Sequence, residues 1–402
     1  MQHLHELAKA HLSFLCEKIT NRCVGSKGNL SATNFFSEQL ENYNWQVERQ
    51  AFEAFDWESE YACIEIGELV LKAFSSPYSN SCNLKTEVEI VSTIEELKKT
   101  DTVDKILIVK GELSIEQLMP KNFVFYNPDH HKNILASLEN SRALAFIFIV
   151  GKSGFYEGGE YPFPIIEDGD FMIPSVFISE EDGEQLLMHK PKMLKLISRT
   201  KKIPSKGYNV IGRQGHGNGK RITITAHIDA KKGSSGAIDN GTGVVTMLLL
   251  SELLKDYIGN YQIELVALNG EDYYSVPGQM TYLKNNKDNF SDIALNINID
   301  GAGLNIGKTA YALINLPDVQ INKARDVFKQ FSGFVEGKPW LQGDHSMFLQ
   351  FGVPAIAISS EWLLDNLQTQ RITHTENDTM SRVDLDKVIE LANAICTLIY
   401  KL

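Results

Sequence analysis

The sequence lacks the features that mark several special classes of protein. Its five cysteines are scattered and never form a Cys-x-x-Cys pair, so they indicate neither a thiolate zinc site nor a disulfide framework. Its most apolar stretches, ALAFIFIV and VVTMLLLSELL, are far shorter than the ~20 residues of a membrane span. We see no internal repeat and no low-complexity tract, so a globular protein is expected.

Excess positive charge is also missing, since 39 Lys and Arg stand against 51 Asp and Glu, for a net charge of −12. A nucleic-acid-binding protein needs basic stripes that neutralise phosphates, so we expect no nucleic-acid partner. The first residues, MQHLHELAKAHLSFLCEKI, have the apolar spacing of an amphipathic helix and lack the apolar core of a secretory signal. We therefore predict a cytoplasmic protein that does not contact the membrane.

The length of 402 residues predicts two domains, or one domain with a large insertion. Residues 1 to about 75 are expected to form two helices and then strands, with Ser31 as the N-cap of the second helix. Short β-prone pieces such as KILIVKG and NFVFYN follow, with one or two helices expected among them. We assign residues 1–79 and 199–402 to one domain and residues 80–198 to an inserted, mainly β domain, in which His130 and His131 are expected to face solvent.

From about residue 207 onwards, predicted strands alternate with predicted helices. RITITAH, QIELVALNG, IALNINID and VPAIAISS are nearly continuous apolar runs, and amphipathic segments such as DLDKVIELANAICTLIYKL lie between or after them. Strands of this kind are buried on both faces. The pattern predicts an α/β domain of three layers, with a central mixed, mostly parallel sheet between two layers of helices.

Polar side chains follow four of these strands. They are His227 with Asp229, Glu271 with Asp272, Asp300, and His374 with Asp378. Each group alone has a structural explanation, and Asp239-Asn240-Gly241 alone is turn chemistry with a helix cap. However, sites in open α/β sheets collect at the carboxyl ends of strands. The recurrence of His, Asp and Glu at four such ends indicates a metal site.

The types of residue at these positions suit zinc, which is bound by imidazole nitrogen and carboxylate oxygen. Two histidines and three carboxylates, one of them shared, give each of two Zn²⁺ ions three protein ligands at the ~3.5–4 Å separation of two-metal hydrolases. Such ions lower the pKa of a bound water to about 7. A carboxylate that is not a ligand must then accept the proton, and adjacent Glu271 and Asp272 fit a division into one base and one ligand.

Five segments, in this order, resemble the co-catalytic di-zinc aminopeptidase family, which also includes glutamate carboxypeptidase, transferrin receptor and glutaminyl cyclase. They are TAHIDAKKGSSGAIDNGTG, VALNGEDYYSVPGQMTYL, NINIDGAG, GDHSMFLQFGVPAIAI and ITHTENDT, and they cover residues 207 to about 386. The beginning of the chain resembles the helical lead-in of such aminopeptidases. The insert, through KILIVKG and IPSVFISEEDGEQLL, resembles a protease-associated domain.

The resemblance implies a ligand role for five residues. Asp239 would bridge the two zinc ions. His227 and Asp300 would complete one metal site, and Asp272 and His374 would complete the other. The resemblance therefore implies a full set of ligands for two Zn²⁺ ions.

The resemblance also implies two catalytic roles near the metal ions. Glu271 would be the general base, and Asp229 would hydrogen-bond the ring of His227 and so fix its tautomer. Many relatives have Glu-Glu where this chain has Glu271 and Asp272, and the shorter Asp still offers a ligand oxygen. The family's usual Gly-Ser is replaced by Gly278-Gln279, and Asp344 of the DHSMF segment is left without a role.

The expected function is that of a zinc aminopeptidase, which removes N-terminal residues from peptides with a metal-bridged hydroxide and a glutamate base. A related carboxypeptidase, amidohydrolase or cyclase is the alternative within enzymes. A metal-free binding protein built on the same fold, as in transferrin receptor, is a third hypothesis. The sequence leaves open which side chain precedes the cleaved bond and the oligomeric state.

Overall fold

The computed structural model describes residues 2–123, 127–152, 160–216 and 219–402. These residues form two compact units. The first consists of Met1–Ala54 and Lys206–Leu402, and the second, inserted between them, is Phe55–Ser205. The β-prone piece NFVFYN was expected at residues 122–127, and its central residues lie outside the described part of the chain.

The described residues contain the following α-helices and strands. The helices are α1 (Gln2–Ser13), α2 (Lys27–Asn42), α3 (Ile94–Lys99), α4 (Asp129–Asn140), α5 (Glu180–Met188), α6 (Thr242–Leu253), α7 (Pro277–Asn286), α8 (Asp318–Phe328), α9 (His345–Leu349), α10 (Glu361–Asp365) and α11 (Leu385–Lys401). The strands are β1 (Gln46–Ile66), β2 (Leu69–Lys72), β3 (Phe74–Ser75), β4 (Cys82–Val91), β5 (Ile106–Val109), β6 (Ala145–Val150), β7 (Ser175–Ser179), β8 (Met193–Gln214), β9 (Arg221–His227), β10 (Gln262–Leu268), β11 (Ile293–Ile299), β12 (Thr309–Ile314), β13 (Phe334–Glu336) and β14 (Ala355–Ser360).

The first unit is built on a sheet with the strand order β13-β12-β14-β11-β9-β10-β8. β9 lies between β10 and β11 and runs parallel to both, and β11 runs parallel to β14. β12 is antiparallel to β14, and the part of β8 in this unit is antiparallel to β10. The predicted mixed, mostly parallel sheet is therefore confirmed.

The two faces of this sheet are covered differently. Ile224 of β9 is fully buried in a hydrophobic core that also contains residues of α1, α6, α8 and α11. Thr223, the preceding residue, points to the opposite face, because successive strand residues alternate. There its hydroxyl donates a 3.0 Å hydrogen bond to Glu264 of β10, which also accepts one of 3.1 Å from Tyr282 of α7. Helices thus pack on both faces of the sheet.

The N-terminal helices form as expected, but the cap of α2 differs. α2 begins at Lys27, and the hydroxyl of Ser26 accepts a hydrogen bond from the N–H of Asn29. Ser31, the expected cap, lies inside the helix, because the Ser26 side chain already satisfies a free N–H group one turn earlier. No helix in the described ranges is long and apolar enough to cross a membrane.

The second unit has its own sheet, with β5 parallel to both β4 and β6, and β6 parallel to β7. Its described residues include three α-helices, α3 to α5, rather than one or two. Its bounds also differ from the expected 80–198. β3 pairs with β7, and Cys63–Ile66 of β1 pair with β2, so residues 55 to 79 belong to the insert rather than to the first unit. The likeness to a protease-associated domain stays a prediction.

Candidate metal centre

The carboxyl ends of three adjacent strands bring candidate residues to one edge of the sheet. His227 is the last residue of β9, and it pairs with Leu268, the last residue of β10. Asp300 directly follows β11, and its N–H donates a 2.9 Å hydrogen bond to the carbonyl of Ile358 in β14. Because these strands are parallel, the loops that follow them begin side by side.

Asp239 lies between the two candidate histidines. Its Oδ1 is 3.0 Å from Nε2 of His227, and its Oδ2 is 3.1 Å from Nε2 of His374. It belongs to the irregular turn Ala237–Gly241 that precedes α6, and the Asp239–Asn240 peptide bond is cis. A carboxylate whose two oxygens face two different imidazoles has the arrangement that a shared metal ligand requires.

Asp272 and Asp300 lie on either side of this arrangement. Asp272 Oδ1 is 3.0 Å from His374 Nε2, and Asp300 Oδ1 is 3.5 Å from His227 Nε2. The side chains of Asp300 and His374 are 28% and 27% exposed, whereas those of Asp272 and His227 are 3% and 1% exposed. The five side chains form one cluster that opens to solvent along Asp300 and His374.

The turn that carries Asp239 is held by two residues whose structural roles were not predicted. Asn240 Oδ1 accepts a 3.1 Å hydrogen bond from the N–H of Gly243, so Asn240 and not Asp239 supplies a side-chain acceptor to the first turn of α6. Asp378 accepts hydrogen bonds from the N–H groups of Ile238 at 2.7 Å and Asp239 at 3.0 Å. The Asp239 carboxylate is therefore free to face the histidines.

Asp229 does not form the hydrogen bond that the resemblance implied. Its Oδ1 is 3.8 Å from Nδ1 of His227, which is beyond hydrogen-bonding distance. Instead, the fully buried carboxylate accepts hydrogen bonds from the N–H groups of Gly270, Glu271 and Asp272, at 2.7 to 3.3 Å. Asp229 thus attaches the loop after β10 to the end of β9, and these three donors draw it away from the His227 ring.

The carboxylates strongly affect the ionisation of the histidines. Burial lowers the pKa of His227, but Asp300 and Asp239 raise it by more, so that it lies well above its usual value. Burial also lowers the pKa of His374, but Asp272 and Asp239 raise it by more, so that this pKa too lies well above its usual value. Both histidines thus lie among carboxylates, whose negative charge bound cations would balance.

Glu271 lies beside the cluster, and its side chain has no hydrogen-bond or ion-pair partner among the residues described. Burial raises its pKa well above the usual value; His227 opposes this shift, and Asp300 adds to it. Asp344 is also buried, which raises its pKa to about 7. Asp344 accepts a 2.8 Å hydrogen bond from Gln279 of α7, so the residue that replaces the family's usual serine contacts the DHSMF segment.

A second group of His and Glu residues lies in the inserted unit. Nε2 of His130 and Nε2 of His131 are 3.0 Å and 3.2 Å from Oε1 of Glu116. His130 faces solvent as expected, but His131 is buried, and its Nδ1 accepts a 3.0 Å hydrogen bond from the N–H of Met119. That hydrogen bond leaves the proton of the neutral ring on Nε2, where a metal would need a lone pair. We therefore interpret this group as a carboxylate–imidazole contact.

The cluster around Asp239 does fit a metal. Two imidazoles and three carboxylates are the ligands that zinc takes in proteins. Both ring nitrogens of His227 and Oδ2 of Asp272 are buried without a hydrogen-bond partner in the described ranges. Such atoms cost free energy unless something binds them. The ligand atoms of His227, Asp239 and Asp272 all lie within 4.8 Å of one another, the compact arrangement that a metal centre requires.

Comparison with known proteins identifies this part of the chain. Residues 209–399 match the model of peptidase family M28. This segment is therefore similar to the members of peptidase family M28. The M28 segment begins within β8, ends within α11 and contains all five of the clustered ligands together with Glu271.

Individual proteins are also similar to this chain. The chain is 26% identical to aminopeptidase YwaD of Bacillus subtilis over 242 residues, which are 57% of this chain and 51% of that protein. It spans about half the length of the curated relatives that it matches. Its fold matches a zinc aminopeptidase from Bacillus subtilis with a TM-score of 0.76 at 18% identity, over 99% of this chain and 94% of the other. A glutaminyl cyclase from Tannerella forsythia matches with a TM-score of 0.54 at 12% identity, over 99% of this chain and 98% of the other.

Proposed function

We propose that this chain is a zinc aminopeptidase, which hydrolyses the N-terminal peptide bond of peptides at the cluster around Asp239. The observation that carries the proposal is the position of Asp239, whose two carboxylate oxygens lie 3.0 Å and 3.1 Å from two different histidines. The match of residues 209–399 to the model of a peptidase family supports hydrolysis of a peptide bond. The relatives named above as aminopeptidases support the choice of the amino-terminal bond.

Each proposed ligand is supported by its place in the cluster. Asp239 is the shared ligand. His227 and Asp300, which are 3.5 Å apart, would hold one ion, and Asp272 and His374, which are 3.0 Å apart, would hold the other. These pairs are the ones that the resemblance implied.

The charge of the cluster supports two ions rather than one. Asp239, Asp272 and Asp300, together with Glu271, bring four carboxyl groups into a small, largely buried volume. Two Zn²⁺ ions would balance four negative charges, whereas one would leave two of them unpaired, at a cost of several kcal/mol per buried charge. Bound zinc supplies Lewis-acid polarisation of the scissile carbonyl and a lower pKa for a coordinated water.

Glu271 is the proposed general base. The residue lies in the loop after β10 whose N–H groups are held by Asp229, so its backbone is fixed next to Asp272. Since its carboxylate has no partner among the described residues, it is free to take a proton and to return it to the leaving amine. Substrate would approach along Asp300 and His374, the exposed side of the cluster.

The proposal is tested by measuring zinc per chain together with the hydrolysis of a matched substrate set. We expect about two zinc ions per chain and cleavage of aminoacyl-arylamides with a free α-amino group. Substrates with the same residue but an acylated amino group are the matched control and should not be cleaved. Release of C-terminal residues from acidic peptides, or loss of ammonia from N-terminal glutaminyl peptides without cleavage, would contradict the proposal in favour of a carboxypeptidase or a cyclase.

A further inference from the structure

A buried arginine from the N-terminal segment holds the loop that leads to Asp239. Arg22 is 2% exposed. Its Nε donates to the carbonyl of Ile228 at 3.1 Å, its Nη1 donates to that of Ser235 at 2.7 Å, and its Nη2 donates to that of Gly236 at 2.8 Å. One guanidinium therefore binds both ends of the loop between His227 and Asp239.

The contact between this loop and Arg22 is unusually close. A Cβ atom on Gly236 would lie 2.7 Å from Nη2 of Arg22 and 2.6 Å from the carbonyl oxygen of Asp239, and Gly236 has a φ of +58°. Only glycine permits both the approach and the conformation. In the described residues Arg22 has no carboxylate within ion-pair distance, so its fork of donors is held by backbone carbonyl oxygens. Arginine offers five donors in a rigid plane and is suited to this task.

Asn29, in the first turn of α2, makes a comparable contact with the second loop of the site. Asn29 and Asn269 exchange two amide hydrogen bonds, of 2.8 Å and 2.9 Å, and both residues are buried. Asn269 directly precedes Gly270 and the Glu271-Asp272 pair. Asn29 also donates a 3.0 Å hydrogen bond to the carbonyl of Arg22, so the two residues that hold these loops contact each other.

We infer that Arg22 and Asn29 are positioning residues for the metal centre, so that the N-terminal segment, which lies outside the M28 match, sets how firmly zinc is held. Only the part of the inference that concerns zinc retention rests on the proposed function. Arg22 fixes the loop that carries Asp239, and Asn29 fixes the loop that carries Glu271 and Asp272. Loss of such indirect support for metal ligands typically costs about 10–100-fold in metal affinity or activity.

The test compares three single variants of the full chain. Arg22→Met removes the donors and the charge, and Arg22→Lys keeps the charge but not the planar fork. Trp45→Phe is the matched control, because it also removes a buried donor. The indole N–H of Trp45 donates a 2.8 Å hydrogen bond to the carbonyl of Ser251, which lies outside these two loops. Hydrogen exchange by mass spectrometry reports opening of residues 228–241, and transfer of zinc to a chelator reports metal retention.

We expect Arg22→Met to increase exchange in residues 228–241, to accelerate zinc loss by about 10–100-fold and to lower kcat with little change in KM, because ligand position affects chemistry more than substrate binding. Arg22→Lys should restore part of each effect, and Trp45→Phe should show none. Unchanged exchange in Arg22→Met, or an equal increase in Trp45→Phe, would overturn the inference.

If Arg22→Met does not fold, Asn29→Leu tests the same inference, and the measurement is then hydrogen exchange in residues 269–276. An increase confined to that loop supports the positioning role, and exchange equal to that of the unmutated chain overturns it. An unmutated chain that binds no zinc would contradict the proposed function instead. The exchange comparison does not depend on zinc and would still decide whether the two residues fix the loops.

Discussion

Asp378 accepts a 3.0 Å hydrogen bond from the backbone N–H of Asp239, while the carboxylate of Asp239 points away towards two histidines. One acidic residue thus holds the main chain of another, and only the second is a proposed ligand. The division explains how an irregular turn presents a carboxylate in a fixed direction without a helix or a strand to carry it.

The first prediction concerns this support. Asp378→Asn replaces one of the two acceptor oxygens with a donor, which then faces an N–H group of Ile238 or Asp239. Zinc affinity, measured by competition with a chelator, should fall about 10–100-fold. Asp384→Asn is the control, because Asp384 accepts the N–H of Asp386 at the start of α11. Equal zinc affinity in the two variants would contradict the role of Asp378.

The second prediction separates the base from the ligands. Glu271→Gln should keep bound zinc, since the Glu271 side chain is not a proposed ligand, but should lower kcat by about 10²–10⁴-fold, the range for general acid–base catalysis. Steady-state kinetics and metal analysis of the same preparation provide the measurement. A variant that remains active on its best substrate would show that the base is another group.

The third prediction concerns the shared ligand. Asp239→Asn should lose both zinc ions, because its two oxygens face both halves of the cluster, whereas His227→Ala should lose one ion first. Elemental analysis of zinc per chain distinguishes these outcomes. His130→Ala in the inserted unit should retain both ions, as the matched histidine control. Two full equivalents in His227→Ala would refute its role as a ligand.

The fourth prediction concerns zinc removal and stability. Without cations, the carboxyl groups around Asp239 lose their compensation, so chelation should abolish activity and lower the melting temperature. Free zinc at 100 times the dissociation constant should restore about 2.7 kcal/mol of stability for each ion bound. Calorimetry across a zinc titration measures this. A melting temperature that does not respond to zinc would exclude a metal bound preferentially by the folded chain.

The fifth prediction compares two serines of the N-terminal segment. Ser26→Ala removes the acceptor for the N–H of Asn29 and should cost about 1 kcal/mol of unfolding free energy, the usual value for an N-cap. Ser31→Ala, inside α2, should change stability little. Denaturant unfolding of both variants checks the assignment, and a larger loss at Ser31 would reverse it.

The sequence predicted the parts of the fold that depend on pattern. β9, β10, β11 and β14 are apolar runs buried on both faces, and α11 has a clear amphipathic period, so their positions could be read directly. β12 and β13 were not predicted. β13 has three residues, and TAYALI of β12 lies in a glycine-containing stretch without the polar ending that marked the other strands.

The sequence predicted which side chains gather at the candidate site, but it did not predict the residues that hold those side chains in place. The clustered residues could be predicted because each follows a strand or belongs to a recognisable motif. They are His227, Asp239, Asp272, Asp300 and His374. Arg22, Asn29 and Asp378 act through backbone groups of distant segments, and a contact of that kind leaves no spacing rule in the sequence. The hydrogen bonds of Asp229 were misjudged for the same reason, since its partners are three main-chain N–H groups.

The side-by-side endings of the parallel strands have a consequence for the order of events during folding. Parallel neighbours require crossover connections, so contacts between β9, β10 and β11 join parts of the chain that are far apart in sequence, and such contacts form slowly. The proposed ligands extend from His227 to His374 and meet only after these crossovers are complete. In contrast to a zinc finger, whose metal organises the chain, this protein would offer its ligands to zinc only once the sheet exists. Zinc would therefore bind last, to ligands that the folded sheet already holds in position.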